Sequence, residues 1–395
     1  MASRTEPDLE TSTRADDGAI DALIVGAGAI GLACAWRAAQ HGLRVRVLER
    51  DRPGAGASGV AAGMLAPVGE ATWGEDELLR LALTSHAAWP RFAAELAATS
   101  DRESGYLELG ALHVALDRDE AAELRRRFEL MESLGLAAEW LRPRAAREVE
   151  PGVAPSCAAA VHAPHESAID PRQLVGALRV AAEREGVEVR EGSEVVAALR
   201  HGDALAGVRT ADGVEHRAAR TVLAAGAWSG SAGWLPPEAR PPVRPVKGQI
   251  ITLRGPAGAP VCDRIVVSER IYIVPRGDGR LIVGATVEEM GFDTRVTAGG
   301  VHELLREAYR ALPDVAELEL AEVIAGLRPG TPDNAPLIGA GPIDGLIYAA
   351  GHYRNGVLLA PVTADAVAAL LAGEQPEAEL GAFSPLRFSP EVVAR

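Results

Sequence analysis

Residues 21–50 read DALIVGAGAIGLACAWRAAQHGLRVRVLER, and this stretch decides the fold class of the chain. It predicts an apolar strand, a glycine turn, a helix and a second strand. The turn carries Gly26-x-Gly28-x-x-Gly31, with Ala27 and Ala29 as small neighbours of the glycines. The first glycine permits the tight turn, the second lets the backbone approach a pyrophosphate, and the third lets helix and strand pack closely. The stretch therefore predicts a dinucleotide site at a helix N-terminus.

The second strand ends at Glu49, at the separation where an acid hydrogen-bonds a ribose hydroxyl. This favours an unphosphorylated ribose, as in FAD or NAD, over NADP. Residues 54–59 (GAGASG) fit the same glycine pattern, but Pro53 precedes them and no strand–acid arrangement follows, so we interpret them as a loop. For the first copy the alternative is an ordinary βα turn that merely needs glycines, and the turn alone does not say which dinucleotide binds.

Length and composition predict a soluble globular protein of two or three domains. The chain has 395 residues, of which 48% are hydrophobic and 24% charged. Its net charge of −15 argues against a nucleic-acid surface and against attraction to an acidic membrane. Cys34, Cys157 and Cys262 lie far apart without zinc spacing or a disulfide framework, which fits a reducing cytoplasm.

Targeting segments are not evident in the sequence. Residues 1–19 are polar and charged without the apolar core of a signal peptide, and we expect a disordered tail. No stretch of 18 apolar residues lacks charge or turn formers, so we expect no membrane span and a cytoplasmic protein. His162 and His165 have no accompanying ligands, so we predict no metal site.

Two stretches rich in glycine and alanine are candidates for contact with a large flat group. Residues 53–67 (PGAGASGVAAGMLAP) have small side chains that let the backbone approach such a group, and we favour a cofactor contact over a flexible surface loop. Residues 221–230 (TVLAAGAWSG) predict a buried strand that closes on Gly226. That strand alone is equally consistent with any protein core.

Helices and a hairpin organise the middle of the chain. Residues 76–100 and 117–136 predict amphipathic helices, and Asp170 predicts the N-cap of a third. Residues 270–288 (RIYIVPRGDGRLIVGATVE) predict a β-hairpin around a Gly-Asp-Gly turn. The ring of Tyr272 then faces opposite to its isoleucine neighbours, where it is either a half-buried sheet aromatic or a ligand contact.

The last third of the chain carries two arginines on rigid backbone. Residues 322–339 predict a strand and a Pro/Gly-rich turn that fixes Arg328. Residues 345–373 predict a buried strand, a polar corner and a long apolar helix that begins near Gly356. The positive end of that helix would stabilise an electron-rich ring oxygen by roughly 0.3–1 kcal/mol. Arg354 lies in this corner, which favours ligand contact over a solvated loop arginine.

Together these segments resemble the glycine oxidase branch of the D-amino-acid oxidase flavoprotein family. The resemblance covers nearly the whole chain after the tail, and its strongest parts are VGAGAIG, AAGML, VKG, YIVPR-x-x-GRL-x-VGAT, GLRPGTPD and AAGHYRNGVLLAP. It implies an α/β fold, with a Rossmann-like FAD-binding domain and a second, antiparallel-sheet α+β substrate domain. It also implies non-covalent FAD, a small amine or amino-acid substrate, molecular oxygen as acceptor, a homotetramer and a product imine that supplies thiamine thiazole synthesis.

In this architecture each domain is built from separated segments. We predict that the FAD-binding domain comprises residues 20–84, 160–238 and 322–380. The substrate-binding domain is then formed by residues 85–159 and 239–321, and residues 381–395 form a C-terminal tail.

The resemblance also implies roles for particular residues, carried over by position. The substrate carboxylate would be held by Tyr272, Arg328 and Arg354. The FAD would be held by Gly26, Gly28, Ala29, Ile30, Gly31, Glu49, Arg50, Ala57, Ser58, Ala62, Gly63, Met64, Val195, Gly226, Gly351, His352, Tyr353, Arg354, Asn355, Gly356 and Val357.

Such a site would hold the α-carbon of an amino acid about 3–3.5 Å from the flavin N5, so that a hydride can pass. No acid or base is required if the amine binds neutral, and the sequence offers no convincing candidate for one. Arg270 stands where the resembled enzymes often have histidine, which leaves substrate size and pH preference open.

Several alternatives remain at this point. Within the family they are a sarcosine or D-amino-acid oxidase and a D-amino-acid dehydrogenase that passes electrons to a quinone. A nicotinamide-dependent dehydrogenase would be colourless and would leave GHYRNG and AAGML unexplained. A non-catalytic flavin-binding partner protein would be yellow but not bleached by any amine.

Overall fold

The structure, a computed structural model, describes residues 20–256, 258 and 260–389. The predicted tail at residues 1–19 lies outside the described residues. The described part of the chain contains seven α-helices: α1 Ala29–Gln40, α2 Asp76–Ser100, α3 Arg118–Ser133, α4 Pro143–Val149, α5 Pro171–Arg184, α6 Ala298–Ala311 and α7 Ala360–Ala372.

Nineteen strands accompany these helices within the same residues. They are β1 Ile20–Val25, β2 Val45–Leu48, β3 Met64–Leu65, β4 Leu107–Glu108, β5 Ala111–Ala115, β6 Glu139–Leu141, β7 Ala159–Ala163, β8 Ser167–Ala168, β9 Glu188–Arg190, β10 Val195–His201, β11 Ala204–Thr210, β12 Glu215–Leu223, β13 Arg244–Arg254, β14 Ile265–Val267, β15 Tyr272–Pro275, β16 Arg280–Gly284, β17 Glu319–Gly330, β18 Leu337–Ala340 and β19 Leu346–Ala350.

The first sheet is mainly parallel and is built around β1. Parallel pairing joins β9 to β2, β2 to β1, β1 to β12 and β12 to β19, while β18 runs antiparallel to β19. The β10–β11 hairpin extends from the beginning of β12. Helices α1, α2, α5 and α7 bury their apolar faces in one core with this sheet, where Trp36 and Trp89 pack edge-on against Phe92. Because parallel strands need crossover connections, the apolar βαβ unit of residues 21–50 sets this Rossmann-like layer.

The second sheet has eight strands in the order β17-β13-β16-β15-β14-β5-β7-β6. All its pairs are antiparallel except that of β14 with β5. Ile271 and Ile273 lie in a core with α6, whereas Tyr272 packs on the other face with Val274 and Ile282. The predicted hairpin and the predicted direction of the Tyr272 ring are therefore confirmed, and the mixed α/β fold class is confirmed with them.

Some elements lie across the predicted domain boundaries. The strands β7 and β17 belong to the second sheet although most of each was placed in the FAD-binding domain, because each pairs with neighbours of that sheet. Helix α2 packs against α5 and α7, and residues from both of its halves lie in the core of the first sheet, although its second half was placed in the substrate-binding domain. Phe383, predicted in a tail, is buried in that same core. The division into two segmented domains stays a prediction.

Helix α5 begins at a side chain that also joins the two sheets. The Asp170 carboxylate caps the helix by accepting hydrogen bonds from the main-chain N–H groups of Arg172, at 2.9 Å, and Gln173, at 3.3 Å. Its other oxygen accepts from the Arg280 guanidinium of β16 at 2.7 Å. Burial raises the pKa of the Asp170 carboxyl, but Arg280 and the nearby Arg276 outweigh it and hold that pKa below its usual value. The Asp170 carboxylate therefore links the start of α5 to strand β16 of the second sheet.

None of the helices in the described ranges is both long and apolar enough to cross a membrane. The same residues contain no group of three or more histidine, cysteine, aspartate or glutamate side chains able to hold a metal ion.

We predict that Asp170→Ala lowers the free energy of unfolding by about 2–4 kcal/mol, because it removes a cap worth about 1 kcal/mol and leaves the Arg280 guanidinium short of its buried partner. The matched control is Asp117→Ala, which removes the exposed N-cap of α3 and should cost only about 1 kcal/mol. Chemical denaturation of both variants measures the difference, and equal losses would contradict the role of the ion pair.

The same pair predicts a pH dependence of stability. Because the pKa of Asp170 is lower in the folded protein, its contribution is fully present above the unfolded pKa near ~3.9 and is lost as the pH falls through the folded value. When the free energy of unfolding is measured against pH, the difference between wild type and Asp170→Ala should therefore disappear in acid.

Candidate active site

The glycine turn after β1 brings main chain into contact at positions where a side chain would not fit. Gly26 has a φ of +109°, and a Cβ on it would lie 2.5 Å from the carbonyl oxygen of Ala224. A Cβ on Gly31 would overlap the carbonyl of Gly26. These two glycines hold α1 against β1 and β12, so that Gly28, Ala29 and Ile30 at the start of the helix line the cavity.

The second glycine segment, interpreted above as a loop, folds back onto this turn. The hydroxyl oxygen of Ser58 accepts a hydrogen bond from the Ala29 N–H at 3.0 Å. The Gly54 N–H donates to the carbonyl oxygen of Ala27 at 2.9 Å. Residues 54–59 therefore form a second wall of the nucleotide cradle.

Glu49 lies beside the same turn. One carboxylate oxygen accepts from the Ala27 N–H at 2.8 Å, and the other accepts from the Asp51 N–H at 2.9 Å. Each oxygen can accept more than one hydrogen bond, so a ribose hydroxyl can still be bound. The guanidinium of Arg50 lies 4.7 Å from the ring centre of Trp228, a residue that the sequence analysis did not single out.

A cavity of about 1200 Å³ extends from this cradle to the second sheet. Its size exceeds that of most small-ligand sites, which suits a dinucleotide together with a substrate. Of the residues predicted above to hold cofactor or substrate, all line this cavity except Gly31, whose place is in the packing of α1. The residues present therefore fit FAD, although the role of each one stays a prediction.

Arg328 lies on β17 with its guanidinium across the neighbouring strand β13. Its Nη1 donates to the carbonyl oxygens of Lys247, at 3.3 Å, and Thr286, at 3.1 Å. The guanidinium passes over Gly248, where any Cβ would overlap it. Two main-chain acceptors and a missing side chain thus fix Arg328, and its remaining N–H groups can donate to a carboxylate.

Tyr272 is fixed in the same manner. It pairs in register with Gly284 of β16, and its ring lies over that glycine, where a Cβ would overlap the phenol. Burial raises the pKa of the Tyr272 phenol, so the hydroxyl stays protonated near neutral pH and can donate a hydrogen bond.

Arg354 lies in a strained corner between β19 and α7. Gly351 and Tyr353 have φ values of +71° and +46°. His352 is buried, with its Nε2 3.0 Å from the Thr363 hydroxyl, and burial lowers the pKa of this imidazole to about 3, so it is neutral. Burial lowers the pKa of the Arg354 guanidinium, but Glu70, Tyr353 and Tyr272 together outweigh it, so that pKa is raised overall and Arg354 stays cationic.

The helix after this corner begins later than predicted. Helix α7 starts at Ala360 and not near Gly356, with Pro361 in its first turn, where a missing N–H is tolerated. Turns occupy the intervening residues, and the Leu359 N–H donates to the Asn355 carbonyl oxygen. The favourable field of the helix N-terminus is consequently centred about one turn beyond the position assumed from the sequence.

Several cavity residues were missed by the sequence analysis. Glu70, Trp73, His113 and Arg127 also line the cavity. The segment that carries the first two has no periodicity or turn signal from which a site could be inferred. The imidazole of His113 lies 3.8 Å from the buried Glu166 carboxylate.

Comparison with known proteins places this site in a family. The family model for FAD dependent oxidoreductases (DAO) matches residues 21–370. The glycine oxidase of Geobacillus kaustophilus is 36% identical over 379 residues, covering 94% of this chain and 98% of that protein. The bifunctional protein ThiO/ThiG of Synechocystis is 38% identical over 375 residues, and the match covers 93% of this chain but 54% of that relative. The chain thus spans about half the length of such bifunctional relatives.

The fold agrees with these sequence matches. The crystal structure of the Geobacillus kaustophilus glycine oxidase superposes with a TM-score of 0.86, covering 93% of this chain and 98% of that one. The chain therefore belongs to the glycine oxidase branch of the D-amino-acid oxidase family and is an FAD-dependent amino-acid oxidase.

Proposed function

We propose that this protein oxidises glycine, or an amino acid of similar size, to the imine. The imine hydrolyses to glyoxylate and ammonia, and molecular oxygen takes the electrons as hydrogen peroxide. The observation that carries the proposal is that Arg328, Arg354 and the Tyr272 phenol line the same cavity as the dinucleotide cradle.

The three side chains act on the substrate carboxylate. Arg328 and Arg354 are cations, and each charge-assisted hydrogen bond from them contributes roughly 1.5–3 kcal/mol. The protonated hydroxyl of Tyr272 adds a third donor. Because Arg328 and Tyr272 are both seated over glycines, the carboxylate is held in one orientation.

FAD, when bound, supplies the hydride acceptor at its N5 atom. The protein positions the amino acid and keeps water from the reacting carbon. The wall on the second-sheet side is apolar, with Ile250, Val267 and Ala285 beside Tyr272. The free cysteines Cys34, Cys157 and Cys262 are all buried away from the cavity wall, which supports non-covalent binding of FAD.

We also propose that the imine feeds thiamine thiazole synthesis in the cytoplasm, supported by the ThiO/ThiG names of relatives. We further propose that the protein assembles as a homotetramer. Exposed apolar side chains on one segment support an oligomer, namely Val287, Met290, Phe292 and Val296.

The test of the proposed function is spectroscopic. The purified protein should be yellow, and glycine added without oxygen should bleach its visible absorbance. In air the same mixture should release peroxide. A colourless preparation, or a yellow one that no small amine or amino acid bleaches, would contradict the proposal.

We predict that Arg328→Ala and Arg354→Ala each lower kcat/KM for glycine by about 10- to 100-fold, because each removes a charge-assisted contact worth roughly 1.5–3 kcal/mol. Arg244→Ala is the matched control, since Arg244 is exposed, pairs with Glu289 and does not line the cavity. Steady-state kinetics with constant FAD measure the effect. If both cavity variants kept the wild-type kcat/KM, the proposed binding of the substrate carboxylate by Arg328 and Arg354 would be contradicted.

Gly248→Ala should reproduce part of that loss without touching a charged residue. The new methyl group displaces the Arg328 guanidinium, so we expect kcat/KM to fall about tenfold while the FAD spectrum is retained. Gly277→Ala is the control, because Gly277 has a negative or extended φ and open space around its Cα. An unchanged kcat/KM in Gly248→Ala would show that Arg328 does not depend on this glycine.

A further inference from the structure

The loop of residues 66–75, which follows β3, carries an acidic side chain into the cavity. Glu70 lines the main cavity and also a second, smaller cavity of about 260 Å³. Tyr353, Arg354 and Asn355 line both cavities as well. Glu70 therefore lies where the two cavities meet, on the same walls as the carboxylate-binding Arg354.

The main chain immediately before Glu70 is fixed from both sides. The buried Glu166 carboxylate accepts a hydrogen bond from the Gly69 N–H at 2.6 Å, and the Arg127 guanidinium donates to the Gly69 carbonyl oxygen. A Cβ on Gly69 would overlap the ring of His113, so the loop lies directly against that side chain. These contacts hold the backbone of Glu70 in place before any ligand binds.

The carboxylate of Glu70 itself is not used by the protein. Among residues 20–256, 258 and 260–389, none makes a hydrogen bond or an ion pair with it. Its charge nevertheless reaches the substrate-binding residues. Burial is the main cause of the raised pKa of Tyr272, and the Glu70 charge adds to it. Burial opposes the raised pKa of Arg354, and the Glu70 charge is the largest of the causes that raise it. Glu70 is thus a fixed anion facing the cationic end of the site.

We propose that Glu70 binds the amine half of the substrate and takes its proton. The inference rests on the proposed function. A free amino acid at neutral pH is a zwitterion, and two arginines alone would attract any small carboxylate. An acidic side chain opposite them makes the site complementary to both charges, so it selects amino acids over simple carboxylic acids.

Transfer of a proton from the substrate ammonium to Glu70 needs no oxidant. An N–H bond of the ammonium breaks, an O–H bond forms on Glu70, and the electron pair of the broken bond stays on nitrogen. The neutral amine can then donate that pair as the α-hydrogen leaves with its own electrons, which the FAD of this family accepts.

Other charged and titratable groups surround Glu70 on each packed element. Tyr272 and Arg354 face it across the cavity, Glu75 shares the second cavity, and Arg127, His113 and Glu166 lie behind Gly69.

The experiment compares Glu70→Gln with Glu75→Gln in the FAD-loaded enzyme. Glu75 is the matched control because it lines only the second cavity and accepts from the Asn334 amide at 3.2 Å. Binding of glycine and of acetate, a carboxylate without an amine, is followed by the visible spectrum without oxygen. Glu70→Gln should bind glycine at least tenfold more weakly and bind acetate as well as wild type or better, while Glu75→Gln keeps both affinities.

The pH dependence of anaerobic bleaching is the second readout. Without a proton acceptor, Glu70→Gln must take up glycine that has already lost its proton in solution. Its reduction rate should therefore rise about tenfold per pH unit in the range where wild type and Glu75→Gln are flat. Glu70→Asp keeps the charge and should keep the preference for glycine over acetate with a lower limiting rate.

The inference is overturned if Glu70→Gln keeps the wild-type ratio of glycine to acetate affinity and the wild-type pH profile while it is still bleached by glycine. Loss of the glycine preference in Glu70→Asp would overturn it as well. Failure of the proposed function looks different, since wild type itself would then not be bleached by any small amino acid.

Discussion

Close approach of the main chain, at positions where no Cβ fits, is the constraint on which this site depends. Gly31 against the Gly26 carbonyl holds the start of α1 at the cavity. Gly248 and Gly284 lie beneath the Arg328 guanidinium and the Tyr272 ring, so both side chains rest flat on a sheet. A flat seat restricts the rotamers of a long side chain, so the directions of the Arg328 and Tyr272 donors are set before any ligand binds.

Burying cations beside a cofactor site has a cost that the chain offsets with main-chain acceptors more than with acids. Arg328 donates to two carbonyl oxygens. Arg276 donates to the carbonyl oxygen of Ala62, which precedes the cavity-lining Gly63, and burial lowers the pKa of Arg276 to about 10. Carbonyl dipoles stabilise the guanidinium without neutralising it, so the positive potential stays available to an anionic ligand.

How far the sequence predicts this protein depends on the range of the contacts involved. The βαβ unit, the hairpin at Tyr272 and the cap at Asp170 follow from local periodicity and capping, and the structure has them. The packing of Ser58 on Ala29, the start of α7 at Ala360 and the placement of Glu70 were not predicted. The contact that fixes Glu70 joins Gly69 to Glu166, nearly a hundred residues apart, and nothing in a local pattern reports such a pair.

Because its walls come from both sheets, the cavity couples cofactor, substrate and fold. Its lining includes the turn after β1, the Tyr272 hairpin and the corner before α7. A ligand that contacts all three binds only when the sheets are docked, and it therefore adds its binding free energy to the docked state. The Asp170–Arg280 pair acts on the same junction from the side of the protein. Contacts between the two sheets therefore both position the charged side chains of the cavity wall and hold the sheets together.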